Sequence, residues 1–186
     1  EGRGARGVHF ALEFLSSQNR AVSGESAGLS VSAKGKKVLV VGGGDTGSDC
    51  VGTAIRQGAK SVVQVEIMPE PPAARHPSTP WPMWPYKLRT SSSHLEGCER
   101  LWAVNVKSVE ARGGCARSAT LARCEWTFDE SGRPRAFSER PGEDFKIDAD
   151  LILLSMGFTG VEKNGIVEQL LSLIHISEPT RLGMIS

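Results

Sequence analysis

The stretch KKVLVVGGGDTGSDCVGTAIRQG, residues 36–58, constrains this chain more than any other. An apolar run, Val38 to Val41, passes without a break into Gly42, Gly43 and Gly44, and Gly47 follows. A short continuous apolar run is what a strand buried on both faces looks like. Behind it Cys50, Val51, Ala54 and Ile55 recur at helical spacing, and Gly58 is placed to end that helix. SVVQVEIM then reads as a second, β-branched strand. Strand, glycine turn, helix and strand within about thirty residues make a βαβ unit, so the expected class is α/β with a Rossmann-like nucleotide-binding domain.

Gly42, Gly44 and Gly47 spell G-x-G-x-x-G. Each glycine has its own physical reason. The first allows a tight turn out of the strand, the second clears space where a pyrophosphate approaches the backbone, and the third lets helix and strand pack closely. The helix start adds unpaired N–H groups and a partial positive charge. The whole turn, Gly42, Gly43, Gly44, Asp45, Thr46 and Gly47, is therefore the candidate cofactor contact. Asp45 and Asp49 bring negative charge to the same place, and Asp45 is expected to cap the helix, turned away from the phosphates. Glu66 falls about twenty residues past the turn, where a carboxylate can accept hydrogen bonds from an adenosine ribose.

The rest of the chain changes character. GVHFALEFLSSQNR puts Val8, Ala11, Leu12 and Leu15 on one helical face, with His9 inside the pattern. MPEPPAARHPSTPWPMWPYKL is too rich in proline for a helix or central strand, and reads as an ordered excursion or lid carrying Trp81 and Trp84. His76 and His94 fall in loops. WAVNVKSVEA, SATLARCEWTF and DFKIDADLILLSMGF are strand-like and suggest an antiparallel meander, the last ending in a buried run, Leu151 to Leu154.

Charge and cysteine spacing remove several classes. The net charge is +1 and no basic block could track a phosphate backbone, so no nucleic-acid partner is expected. No apolar run has bilayer length, so no membrane span is expected. The cysteines, Cys50, Cys98, Cys115 and Cys124, form no Cys-x-x-Cys pair, so no metal site is expected and free thiols in a reducing cytoplasm are the natural reading. TSSSHLEG places Ser beside His, but no G-x-S-x-G elbow accompanies it, which argues against a hydrolase.

Three stretches taken together resemble the small (beta) subunit of glutamate synthase: KGKKVLVVGGGDTGSDCVGTAIRQGAKSVVQVEIMPEPP, PWPMWPYKLRTSSSHLEG and DADLILLSMGFTG. GVHFALEFL is similar to the helix that precedes the pyridine-nucleotide domain in that family. The resemblance implies a flavoprotein with a fold that binds two dinucleotides, taking hydride from NAD(P)H onto FAD. Electrons then pass through iron–sulfur clusters to a large (alpha) subunit, which makes glutamate from 2-oxoglutarate and glutamine-derived ammonia. It also implies that Gly157 ends the last strand on the flavin side, and that a FAD-binding G-x-G-x-x-G and the cluster domain lie upstream of Glu1. Hydride transfer of this kind asks no acid or base of the nucleotide domain, so no catalytic residue is assigned.

On this basis residues 1–34 read as a connecting helix and linker from a FAD domain, 35–158 as the NAD(P)H-binding domain, and 159–170 as the start of a return to the FAD domain. LSLIHISEPTRLGMIS, 171–186, resembles the translation of a transposon-type sequencing-library adapter and is set aside as read-through; a genuine divergent terminus with a short amphipathic helix is the alternative. Two rival functions stay open. One is another Rossmann protein, such as an S-adenosylmethionine-dependent methyltransferase, in which strands and helices should keep alternating after the second strand. The other is a non-catalytic nucleotide-binding domain. For the dinucleotide itself, Glu66 favours NADH because a carboxylate repels a 2′-phosphate. Arg75, in PPAAR, is the residue that could reverse this by folding back onto the phosphate of NADPH.

Overall fold

A computed structural model describes residues 1–25, 28–130, 132 and 134–157. The chain divides into two units, Glu1–Met156 and Gly157–Ser186. Of the second, only Gly157 is among the described residues, so the readings of 159–170 as a return segment and of 171–186 as a tail lie outside them.

The first unit begins with strand β1 (Val8–Phe10), helix α1 (Ala11–Val22), strand β2 (Lys37–Val41), helix α2 (Asp45–Arg56) and strand β3 (Ser61–Val65). A four-residue helix α3 (Ser92–Leu95) and strand β4 (Glu99–Leu101) follow, then β5 (Val104–Arg112), β6 (Cys115–Phe128), β7 (Pro134–Asp148) and β8 (Leu151–Leu154). Strands β1, β8, β2, β3 and β4 form one sheet in that order, every neighbouring pair parallel. Strands β5, β6 and β7 form a separate antiparallel sheet.

The apolar runs are continuous because the parallel sheet is covered on both sides. Val38, Val40, Leu151 and Leu153 pack with Ala11, Phe14, Cys50, Val51 and Ala54 of the two long helices. Their neighbours Leu39, Val41 and Ile152 pack with Val104, Ala116, Ala119 and Leu121 of the meander. Alternate residues of one strand thus serve two different cores, as the period of two requires. Helices, parallel sheet and meander make three layers.

The βαβ unit forms as the sequence predicts. Helix α2 ends at Gly58, whose φ of +82° suits glycine. The Gly58 N–H donates to Ile55 O and the Ala59 N–H to Ala54 O, the paired bonds of a Schellman motif. The amino-terminal segment differs from expectation. Val8 to Phe10, His9 included, is a strand that pairs with β8 rather than the first turn of the helix. The buried helical face is then Ala11, Phe14 and Ser17, and Leu12 is half exposed. A helical period beginning at Val8 could not show this, because three residues are too few to display a period of two. The meander strands are also longer than the sequence segments suggest, since β7 runs through Pro141 and Gly142 along an edge where only one neighbour needs its hydrogen bonds.

After β3 the helix–strand alternation continues only through the four-residue α3 and β4, which pairs parallel with β3, before the antiparallel meander begins. Residues 66–91 contain no helix or strand, as the prolines demand. Trp81 and Trp84 are 84% and 76% exposed there. Among the described residues, no helix is long and apolar enough to cross a membrane.

Candidate dinucleotide site

The glycine turn leaves the carboxyl end of β2, where open α/β sheets place their ligands. Gly42 has φ +119°, and a β-carbon on it would run into the Ser155 carbonyl just past β8. A β-carbon on Gly47 would collide with the Gly42 carbonyl oxygen and lie 2.8 Å from Gln64 Nε2. The first and third glycines are therefore required by contacts inside the protein. Gly44 is different: a β-carbon there would meet no protein atom within 4 Å. Its openness faces outward at the start of α2, so the middle glycine keeps space for something else.

Gly44 is also the cap residue of α2, with φ −76° and ψ −175°. Having no side chain, it cannot satisfy the first N–H groups of the helix, which remain available to an anion. The expectation for Asp45 is corrected here. Asp45 is the first residue inside the helix, and no side chain caps it. Its charge acts on the helix dipole from one position later than a cap would.

Glu66 comes directly after β3 and folds onto the turn. Its Oε2 accepts from the Gly43 N–H at 2.5 Å and its Oε1 from the Met68 N–H at 3.0 Å. Its own backbone N–H donates to Leu101 O at 2.9 Å and its carbonyl accepts from the Val104 N–H at 3.0 Å. The side chain is thus fixed at both ends beside the phosphate turn. Each oxygen keeps a lone pair for a hydroxyl.

These groups open onto a cleft of about 410 Å³, lined by Gly43, Gly44, Asp45, Ser48, Glu66 and Met68 at its floor. That volume is within the usual range for small-molecule sites. The far wall comes from the proline-rich excursion, β4 and the residue after it: Trp84, Tyr86, Lys87, Arg89, Arg100 and Trp102. Arg89 stacks over the Trp84 ring at 4.0 Å and Arg100 over Trp102 at 4.7 Å. Two larger hollows of about 630 Å³ lie elsewhere, one along α1 by Leu12 and Arg20, the other among Lys37, Arg112, Arg117 and Asp148. Neither has a glycine turn or an aromatic wall, so the smaller cleft is the candidate site.

The structure brings Gly43, Gly44, Asp45 and Glu66 together, with Gly42 and Gly47 holding the turn from behind and Thr46 on its first helical turn. It does not bring Arg75 to them. That side chain is exposed and its Nη1 donates to Thr79 O at 3.3 Å within the excursion. The cations facing the cleft are Lys87, Arg89 and Arg100 instead. Gly157 has φ +88°, which suits glycine.

Sequence reasoning missed the polar groups beneath the turn. Gln64, 2% exposed, donates from Nε2 to Gly42 O at 2.9 Å. Its Oε1 lies 2.8 Å from Nε2 of His94, which sits in α3 rather than in a loop. Ser91 caps α3, its N–H 3.1 Å from His94 Nδ1, and its hydroxyl meets Ser48 of α2 at 2.5 Å. Burial, helped by the charge of Arg100, holds the His94 imidazole below its ordinary value. A polar residue inside SVVQVEIM was the available signal, since a buried strand tolerates glutamine only when its amide is satisfied. Under α2, burial pushes the Cys50 thiol up to about 12, with Asp49 adding to the effect. All four cysteines are free.

No protein-family model matches the chain. Over 174 residues, 91% of its length, it is 45% identical to the glutamate synthase (NADPH) small chain of Mycobacterium tuberculosis, strain H37Rv, and the match covers 34% of that protein. It is 34% identical over 172 residues to the glutamate synthase (NADPH) small chain of Bacillus subtilis, covering 88% of this chain and 35% of the relative. Against the glutamate synthase (NADH) of Schizosaccharomyces pombe it is 40% identical over 170 residues, 87% of this chain and 8% of that one. Among solved structures, Mycobacterium tuberculosis FprA in complex with NADPH shares the fold with a TM-score of 0.57 at 18% identity, covering 88% of this chain and 48% of FprA. The chain spans only about a third of the length of the bacterial small chains it matches. With the expected α/β fold present and identity at this level along most of its residues, the chain is a homologue of the glutamate synthase small chains.

Proposed function

We propose that the cleft binds the adenine dinucleotide NAD(P)H, and that residues 35–158 are the pyridine-nucleotide domain of a glutamate synthase small-subunit-like flavoprotein oxidoreductase. The observation that carries this reading is the division of labour within the turn. Gly42 and Gly47 are filled from within the protein, whereas Gly44 stays open at an uncapped helix start beside the fixed Glu66 carboxylate. That arrangement suits a pyrophosphate at the helix and a ribose hydroxyl at the carboxylate. A methyltransferase is disfavoured because a proline-rich excursion, a single short helix and strand, and then an antiparallel meander follow β3 in place of sustained alternation.

In this reading residues 1–34 connect to a FAD domain and 159–170 return to it, with Gly157 at the flavin side. FAD receives hydride from the nicotinamide, iron–sulfur clusters lie in a further amino-terminal domain, and the large subunit is the partner that makes glutamate. The relatives do not choose the cofactor, being named with NADPH and with NADH. Glu66 does, and it favours NADH. Arg75, remote in this conformation, would have to swing in to oppose it.

Titration of the purified chain with NADH and NADPH, followed by quenching of tryptophan emission or by calorimetry, tests the reading. Saturable binding, tighter for NADH, is expected, without sustained oxidation when FAD and a dye acceptor are added. Absence of binding at millimolar dinucleotide would refute it.

A further inference from the structure

The hydrogen bonds beneath the turn fix their own directions. Gly42 O can only accept, so Gln64 must present Nε2 to it and Oε1 to His94. That oxygen needs a donor, so His94 carries its proton on Nε2. Nδ1 is then bare and accepts the Ser91 N–H. The Ser91 hydroxyl, 3.0 Å from the same nitrogen, can donate to it as well, and burial favours this neutral Nε2–H form.

The far end of this chain of bonds is one peptide group. Gly42 C=O and Gly43 N–H belong to the same planar trans unit and point in opposite directions. Gln64 holds the carbonyl at 2.9 Å, with the Ser155 hydroxyl a longer donor at 3.5 Å, and Glu66 holds the N–H. Gly42 and Gly43 are the residues least able to hold a peptide orientation by their own sterics. The peptide is therefore pinned from outside, from His94 through Gln64 on one side and by the cleft carboxylate on the other. Helix α3 can approach because α2 carries Gly52 where it crosses: a β-carbon there would lie 2.6 Å from Ser93 Oγ.

We propose that His94 is a positioning residue for the dinucleotide site, setting through Gln64 the orientation of the Gly42–Gly43 peptide and with it the place of the Glu66 carboxylate. This rests on the dinucleotide reading of the cleft. His94 also lines that cleft, together with the charged groups Asp45, Glu66, Lys87, Arg89 and Arg100 from the other elements around it.

The test uses the full chain, NADH as probe, and nitrogen-15 NMR. In the wild type the His94 imidazole should show the Nε2–H tautomer, and the Gly43 amide proton should be strongly downfield because it donates to a carboxylate. His94→Ala should move the Gly43 resonance upfield and weaken NADH binding about tenfold, because the unbraced Gly42–Gly43 peptide must then be ordered on binding. His94→Gln, which can offer an N–H to Gln64 Oε1, should restore both to within about threefold of wild type, whereas a general packing defect would not be rescued this way. An Nδ1–H tautomer in the wild type overturns the proposal without any variant, so it stands or falls even if His94→Ala does not fold. A folded His94→Ala with an unmoved Gly43 amide also overturns it. If the wild type fails to bind NADH while Gly43 responds to His94, the dinucleotide reading fails and the brace alone survives.

Discussion

Replacing Gly44 or Gly47 by alanine should produce opposite defects, although the two lie three positions apart in one motif. At Gly47 the added β-carbon collides with the Gly42 carbonyl oxygen and approaches Gln64 Nε2 to 2.8 Å. The first obstacle is backbone and the second is an amide already committed at 2.9 Å to that same carbonyl, so neither can move freely. Forcing an extra carbon into such a place costs about 1–3 kcal/mol. Alanine recovers less than the full ~1 kcal/mol by which it exceeds glycine inside a helix, because this is only the first turn. The net loss for Gly47→Ala should be about 1–2 kcal/mol. At Gly44 an added β-carbon would meet nothing within 4 Å beyond its own chain neighbours and the backbone is extended, so only its weaker capping is lost, under about 1 kcal/mol. Its methyl group would stand where the pyrophosphate approaches, and NADH affinity should fall at least about tenfold, the equivalent of ~1.4 kcal/mol. Urea denaturation and NADH titration of both variants separate the effects. A Gly44→Ala protein that binds NADH like wild type would show that the phosphates do not pass over this residue. A Gly47→Ala protein as stable as wild type would sink the claim that close approach inside the turn requires glycine.

Glu66→Gln should raise NADPH binding relative to NADH, since it removes a charge that repels the 2′-phosphate; competitive titration of the two cofactors reads the ratio, and an unchanged ratio refutes the role of Glu66. Arg75→Ala should leave that ratio unchanged, because its guanidinium binds Thr79 within the excursion, whereas a lost preference would make Arg75 the selector. Stability should fall as pH rises above about 9. The Cys50 thiol stays protonated to about 12 when folded, while the unfolded chain ionises near 9.0, so the folded state binds the extra proton and loses up to about 1.4 kcal/mol per pH unit between those values. Urea midpoints at pH 8 and pH 10 for wild type and Cys50→Ala measure it, and equal shifts in the two proteins would exclude Cys50 as the cause.

The βαβ unit was legible because each of its parts speaks through short-range chemistry. Val38–Val41, the Gly42–Gly47 turn, the α2 period and Gly58 are each read within a few residues. The meander was legible in part from alternation and turn residues, and Glu66 from its distance to the turn, whereas DFKIDADLILLSMGF divides into the end of antiparallel β7 and the parallel strand β8 between β1 and β2. What was not legible depends on parts of the chain meeting across the fold. Val8–Phe10 is a strand only because β8, some 140 residues later, offers it an edge. The partnership of His94 with Gln64 needs α3 laid on α2 at Gly52, a contact with no signature in TSSSHLEG. Arg75 looked near Glu66 by sequence, but the prolines between them set a path that sends Arg89 to the cleft instead.

The place of β8 between β1 and β2 has a consequence for synthesis on the ribosome. Strands β2 and β3 with α2 can form as soon as residue 65 has emerged, because their contacts are local. The strand that joins β1 to them is made of residues 151–154. At about 5–20 residues per second, β2 would present an open apolar edge for roughly 5–20 s before its partner exists. Among the described residues, neither β1 nor the open side of β2 has another strand to pair with in the meantime. A nascent chain paused before Leu151 would therefore be a target for proteases and chaperones, and the last few residues of β8 would convert it at one stroke from an incomplete sheet to a closed three-layer unit.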